Sequence, residues 1–319
     1  MPAATRLLLW TDTPAAYLEA IDTAGLCGRV AVETLSRKDT PSPEQRAGVE
    51  AMLALSAPPG LLPSMTRLRW VQGLTAGIEG WLALPDLPPA LVLTSARGTH
   101  RESMPENILG ALFHITKPYA AIANDNRDAS WTRRMATPLN GKTLGILGLG
   151  AIGQDLARMA SAIGMRVIGT RRTPGTLPGV AQVYPPAQTA EMLRQSDYLV
   201  VLLPSTPSTD NSVNAALLAH MKPGAWLLNF GRGALIVDAD LIAATASGHL
   251  AGAILDVFRT EPLPSDHPFW TAPGITVLPH IGGGHPERDK TVAKLFVDNL
   301  ARFLAGEPLR ETVDRAAGY

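Results

Sequence analysis

Short apolar runs alternate with longer stretches of helical periodicity along almost the whole chain, and that alternation predicts α/β layering around parallel sheets. In the first hundred residues the segments 6–10, 30–35, 49–56, 68–74 and 91–95 have the short, dense hydrophobicity of buried strands, and 14–24 has helical spacing. A long helix is expected from Ser103 to about Ala121, opened by a capping box in which Ser103 and Glu106 exchange hydrogen bonds with each other's amides. Asn124 to Asn140 is polar, carries Trp131, Arg133, Arg134 and Pro138, and reads as a connection or as a contact between copies. A second alternating series runs from Thr143 to Pro279, followed by a last helix from about Pro286 to Ala305. A domain boundary is therefore expected near Arg97 to His100, with the last helix returning to the first domain.

Composition agrees with two folded domains. The chain has 319 residues, more than one core usually serves, and 46% are apolar against 18% charged, the reverse of a disordered composition. Lys plus Arg and Asp plus Glu both number 28, so no net charge argues for nucleic acid or an anionic membrane as partner. A lone cysteine, Cys27, allows no internal disulfide and no thiolate metal site, and no metal is expected. No apolar run approaches the roughly 20 residues of a membrane span, and a cytoplasmic location is the expectation.

The chemistry begins at the strand run Thr143 to Leu147, which feeds into Gly148-Leu-Gly-Ala-Ile-Gly153 and then into helical spacing. In a strand, G-x-G-x-x-G, helix unit, Gly148 allows the tight turn, Gly150 lets backbone approach a pyrophosphate, and Gly153 lets helix and strand pack closely. The helix N-terminus at Ala151 and Ile152 then faces phosphate charge. The next strand, from Arg166, should end on the residue that reads the adenosine ribose, and an NAD pocket would place an acid there. Here Thr170, Arg171 and Arg172 follow, with no acidic residue between Asp155 and Glu191. A cationic pocket of this kind suits a 2′-phosphate, so NADP(H) is expected over NAD(H).

Ligands of an open parallel sheet bind beyond the carboxyl ends of its strands. Those ends deliver Pro204 and Thr206 in one loop, Arg232 between two glycines in the next, Asp256 within a third run with Glu261 after it, and His280 after Pro279. Flanking glycines imply that the Arg232 backbone adopts a special conformation or lies close to a ligand. Asp256 sits inside an apolar run, 253–258, where a carboxylate demands a donor. An arginine, two carboxylates and a histidine suit hydride transfer at a 2-oxo or 2-hydroxy acid: Arg232 holds the carboxylate and carbonyl, and His280 exchanges the proton. A carboxylate beside an imidazole favours its protonated form, the service expected of Glu261.

These motifs, together with Leu203-Pro-Ser-Thr-Pro207, Asn229-Phe-Gly-Arg-Gly233, Leu255-Asp-Val-Phe-Arg-Thr-Glu-Pro262, Pro279-His-Ile-Gly282 and the closing stretch 313–319, resemble the D-isomer-specific 2-hydroxyacid dehydrogenase family. The resemblance implies Arg232, Glu261 and His280 as the catalytic residues and Asp256 near the nicotinamide amide. It also implies a substrate-carboxylate loop matching Leu74-Thr-Ala-Gly-Ile78, in which Ala76 and Gly77 donate from the backbone. It implies two Rossmann-like or flavodoxin-like α/β domains, with a dinucleotide-binding domain, 99–282, inserted into a substrate-binding domain built from 1–98 and 283–319. A homodimer is implied as well. Thr170 to Arg172 is similar to the glyoxylate and hydroxypyruvate reductase branch, which implies reduction of a small 2-oxo acid. Ile78 and Glu79 depart from the commoner Val-Asp, and 97–100 departs from the usual approach to the long helix, so the substrate's side chain stays open. The alternatives are a non-catalytic NAD(P)-sensing protein of the same fold and a relative acting on another 2-hydroxy acid, formate or phosphite; a formate enzyme would have glutamine at Glu261.

Overall fold

A computed structural model describes residues 4–173, 175–316 and 318. Of the closing stretch, Ala317 and Tyr319 lie outside the described residues. The chain forms two compact units, Met1–Thr99 with His285–Tyr319, and His100–Gly284.

In β1 (Thr5–Trp10), Leu7 and Leu9 enter one hydrophobic cluster while Leu8 and Trp10 enter another, because successive side chains leave a strand on opposite faces. With β2 (Val30–Leu35), β3 (Ala51–Ala54), β4 (Trp70–Gly73) and β5 (Val92–Thr94) it forms a parallel sheet in the order β2-β1-β3-β4-β5. Parallel neighbours need crossovers, which cover both faces and explain apolar runs without polar alternation. The helix Arg288–Ala305 belongs to this unit through its own packing. Val292, Phe296 and Leu300 are fully buried, and the Phe296 ring stacks on Trp70 at 5.7 Å and meets Tyr17 edge-on at 5.9 Å. Each such side chain contributes about 1.5–3 kcal/mol on burial. Buried Asn299 adds a polar tie, donating to Gln72 Oε1 at 3.0 Å and accepting from the Arg310 amide at 2.7 Å.

The second unit carries β6 (Thr143–Leu147), β7 (Arg166–Thr170), β8 (Gln182–Tyr184), β9 (Tyr198–Val201), β10 (Ala225–Asn229), β11 (Leu250–Leu255) and β12 (Ile275–Val277). All pair in parallel, in the order β12-β11-β10-β9-β6-β7-β8. In β9, Tyr198 and Val200 face one core while Leu199 and Val201 face the other. The order reverses between β6 and β9, the place where a ligand crevice opens at the strands' carboxyl ends.

Three expectations need correction. The long helix ends at Thr116, and a separate helix, Tyr119–Arg127, occupies the start of the expected polar connection. Pro118 breaks the run: it has no N–H to donate, and it holds Lys117 in extended backbone, φ −113° and ψ 135°. The capping box at Ser103 does not form. Glu102 occupies the cap position without a side-chain bond, and the Ser103 hydroxyl lies 3.5 Å from the Gly283 carbonyl oxygen. A box of that type closes instead at Ser42 and Gln45, around Pro43. Finally, β11 stops at Leu255, which leaves Asp256 just beyond the strand.

Candidate active site

β6 passes into the glycine loop with Gly148 at φ +104°, where a Cβ would come within 2.9 Å of the Leu202 carbonyl oxygen. Gly153 lies in the helix Ala151–Ala162, and a Cβ there would stand 2.4 Å from the Gly148 oxygen. Both glycines are required by the chain's own packing. Gly150 differs, since a Cβ would meet nothing within 4 Å. It opens space at the helix's first turn, where no side chain caps the amides that include Ala151 and Ile152. Open space above uncapped amides fits a dinucleotide's pyrophosphate.

Thr170 ends β7, buried, and its hydroxyl accepts from the Gly148 amide at 3.3 Å while its carbonyl accepts from Leu149 at 2.9 Å. Its visible task is to tie the glycine loop to the neighbouring strand. Arg171, half-buried, donates its amide to the Tyr184 oxygen at 3.0 Å, and Arg172 is exposed. Asp155, the last acid before them in sequence, is held by Arg101 at 2.6 and 3.1 Å and by Arg158 at 3.2 Å. Arg101 keeps its carboxyl below the usual aspartate range, against the opposing effect of burial. After β9, Thr209 closes the loop holding Pro204 and Thr206: its hydroxyl accepts from the Thr206 amide at 2.9 Å and donates to the Pro204 oxygen at 2.7 Å.

After β10 comes the arginine. Asn229, fully buried, accepts from the Gly231 amide at 3.1 Å and donates to the Arg232 carbonyl at 3.0 Å, so it shapes the backbone on which Arg232 stands. Sequence reasoning missed it, although an asparagine closing an otherwise apolar strand was the available signal. The guanidinium donates to the Gly231 oxygen at 2.7 Å. The flanking glycines do not owe their place to a left-handed backbone. A Cβ on Gly231 would approach the Leu203 oxygen to 2.8 Å, and one on Gly233 would fall 1.9 Å from the Phe258 carbonyl carbon. They are small because the ends of β9 and β11 press against this turn.

Beyond β11, Glu261 spreads its carboxylate over two donors. Oε1 accepts from the Phe258 amide at 2.8 Å, and Oε2 lies 2.6 Å from His280 Nδ1. The His280 and Glu261 side chains remain 51% and 34% exposed, so the pair is open to a reactant. Asp256 is only 1% exposed, and its two oxygens accept from the amides of Ile281 and Gly282 at 2.7 and 2.8 Å. Burial pushes its carboxyl above the usual range, partly offset by those two bonds. This carboxylate holds the turn that follows His280. The four strand ends do bring Arg232, Glu261, Asp256 and His280 into one set of contiguous loops in the second unit.

In the first unit, Ala76 and Gly77 follow β4 and are partly exposed. The Thr75 hydroxyl donates to the Gly77 oxygen at 2.7 Å, and Arg288 donates to the Leu74 carbonyl, fixing the loop's entry.

Residues 109–282 match the family described as D-isomer specific 2-hydroxyacid dehydrogenase, NAD binding domain. The chain is 34% identical over 272 residues to the glyoxylate/hydroxypyruvate reductase A of Serratia proteamaculans, covering 82% of this chain and 85% of that one. Among solved structures it is similar to a D-isomer specific 2-hydroxyacid dehydrogenase from Xanthobacter autotrophicus in complex with NADPH and MES, with a TM-score of 0.87, 30% identity, and coverage of 99% of this chain and 100% of that one. It is also similar to an NADPH-dependent glyoxylate/hydroxypyruvate reductase from Sinorhizobium meliloti in complex with NADP and sulfate, with a TM-score of 0.84, 30% identity, and coverage of 99% and 100%. No helix among the described residues is long and apolar enough to cross a membrane.

Proposed function

Because the chain belongs to the D-isomer specific 2-hydroxyacid dehydrogenase family of NAD(P)-dependent oxidoreductases, we propose that it reduces a short 2-oxo acid of the glyoxylate or hydroxypyruvate type to the D-2-hydroxy acid. Bound nicotinamide supplies the hydride; the protein must bind the acid, polarise its carbonyl and deliver one proton.

The observation that carries this reading is the His280 and Glu261 pair. With Nδ1–H donated to Glu261 Oε2 at 2.6 Å, and Oε1 pinned by the Phe258 amide, Nε2 is the ring atom left to exchange a proton with the substrate oxygen. His280 donates there in reduction and accepts there in oxidation. Arg232 offers a planar fork for the carboxylate and carbonyl oxygens. Ala76 and Gly77 are proposed as further backbone donors to the carboxylate.

The second unit is the proposed dinucleotide-binding domain and the first the substrate-binding domain. Preference for NADP(H) is supported by Arg171 and Arg172 in a stretch without acids, and by neighbours solved with NADPH or NADP. A homodimer is proposed from the exposed apolar side chains of Tyr119, Trp131 and Met135, 73%, 100% and 83% exposed, in and after the helix Tyr119–Arg127.

The test is a panel of 2-oxo acids assayed with NADPH and with NADH. Turnover of glyoxylate or hydroxypyruvate is expected. Turnover of none would sink the enzyme reading and favour a non-catalytic NAD(P)-sensing protein, and near-normal kcat in His280→Ala would remove that residue from the mechanism.

A further inference from the structure

His280 stands in left-handed backbone, φ +54°, a conformation uncommon for a residue with a side chain and held by its surroundings. Those surroundings are unusual. The turn that follows is gripped on both its donors and its acceptors. Asp256 takes the amides of Ile281 and Gly282. Asn107 Nδ2 donates to the carbonyl oxygens of those same two residues, at 3.3 and 2.9 Å. Gly282 fits so tightly that a Cβ would come within 2.7 Å of both Asp256 Oδ2 and Met104 Sδ, and within 2.9 Å of the Phe230 ring. The turn therefore has little freedom to relax while both grips hold.

Asn107 is the unexpected partner. It occupies the fifth position of the helix Ser103–Thr116, where asparagine is a poor helix former. Among the described residues, the carboxamide's two hydrogen bonds both go to this one turn. We propose that Asn107 is a positioning residue for His280: with Asp256 it clamps the Ile281 and Gly282 peptide groups, and so fixes where the imidazole stands relative to Glu261. The proposal rests on the reading of His280 as the proton donor.

The experiment compares Asn107→Leu, Asn107→Ala and Asn107→Gln, each alone and with His280→Ala, in the full chain. Removing the carboxamide should lower kcat roughly tenfold by misplacing the imidazole. The NADPH dissociation constant and the melting temperature should stay near wild type, and the solvent deuterium isotope effect on kcat should rise as proton transfer becomes limiting. Asn107→Gln should recover part of the rate. In the His280→Ala background the Leu and Ala substitutions should cost nothing more, since Asn107 acts through the imidazole.

Three results overturn the proposal: a kcat for Asn107→Leu and Asn107→Ala near wild type; losses that add fully to that of His280→Ala; or losses that follow melting temperature and NADPH binding, which would make the residue purely structural. A failure of the underlying reading looks different, because His280→Ala would then retain near-normal kcat whatever Asn107 does.

Discussion

Gly233→Ala is the sharpest test of how the loops are assembled, because the obstacle is main chain. A Cβ at this position would lie 1.9 Å from the Phe258 carbonyl carbon, 2.3 Å from its oxygen and 2.4 Å from the Arg259 nitrogen. Ordinary contact begins at 3.4 Å, so one backbone must retreat by about 1.5 Å. Either retreat damages the site. Moving the Arg232 turn displaces the guanidinium, and moving Phe258 displaces the amide that pins Glu261 at 2.8 Å. A misplacement of about 1 Å can cost roughly a hundredfold in rate, or about 2.7 kcal/mol of transition-state stabilisation. Overpacking should also lower folding stability by about 1–3 kcal/mol. The assay is initial-rate kinetics on a turned-over 2-oxo acid, beside an NADPH titration and a thermal melt. The expectation is a fall of about a hundredfold in kcat/KM, with NADPH affinity largely kept because the glycine loop lies elsewhere. A kcat/KM within threefold of wild type would refute the reasoning, for it would mean that the crowding around Gly233 does not constrain the catalytic loops.

Gly150→Ala should behave in the opposite way: with nothing within 4 Å of the new methyl, the melting temperature should hold while NADPH binding weakens at least about tenfold, and unchanged affinity would mean that no phosphate approaches there. Replacing Arg171 and Arg172 together by alanine should weaken NADPH by about 10–100-fold more than NADH, the range for lost charge-assisted bonds, and equal losses would mean that neither side chain reads the 2′-phosphate. Arg101→Ala should cost about 1 kcal/mol near neutral pH in urea denaturation, discounted for the exposure of Arg101. Since Arg101 depresses the folded-state value of Asp155, its stabilisation is present above the unfolded aspartate value, about 3.9, and is lost as pH falls through the depressed one. The gap between variant and wild type should therefore close in acid, and a gap independent of pH would show that the ion pair is not its source.

Much of the framework was legible because buried parallel strands are dense apolar runs with sharp ends. Segment 30–35 coincides with β2, and Thr143 to Leu147 with β6. What was not legible depends on partners distant in sequence. The Ser103 and Glu106 pattern satisfied a local rule, yet the serine hydroxyl lies against Gly283, 180 residues away. The cost of burying Asp256 could be seen in its apolar run, but not its two donors, which arrive 25 and 26 residues later. The Pro118 break was visible in the sequence and outweighed by the apolar periodicity around it. Asn107 had no signal at all, since a helix pattern is silent about which carbonyls a side chain can reach.

The glycines around Arg232 were expected to mark a special backbone conformation or closeness to a ligand, and each is also required by the main chain at a neighbouring strand end. That outcome has a wider consequence once the contacts are followed in sheet order. Thr170 at the end of β7 accepts from Gly148 after β6, and Gly148 lies against Leu202 after β9. Leu203 then lies against Gly231 after β10, Phe258 after β11 against Gly233, and Glu261 and Asp256 grip His280 and the turn after β12. Each strand-end loop is thus shaped by the next across the sheet, from the proposed cofactor loop to the proposed proton donor. Such a row explains how one tight motif can be needed for chemistry without touching a reactant. It also requires that damage spread sideways: a substitution that widens one junction should be felt first by the loops on the adjacent strands, and only weakly by loops two strands away. Gly233→Ala strains one junction of this row, whereas Gly150→Ala, with nothing within 4 Å of its methyl, strains none; loss of turnover with NADPH affinity kept in the first would show that displacement stays near its source.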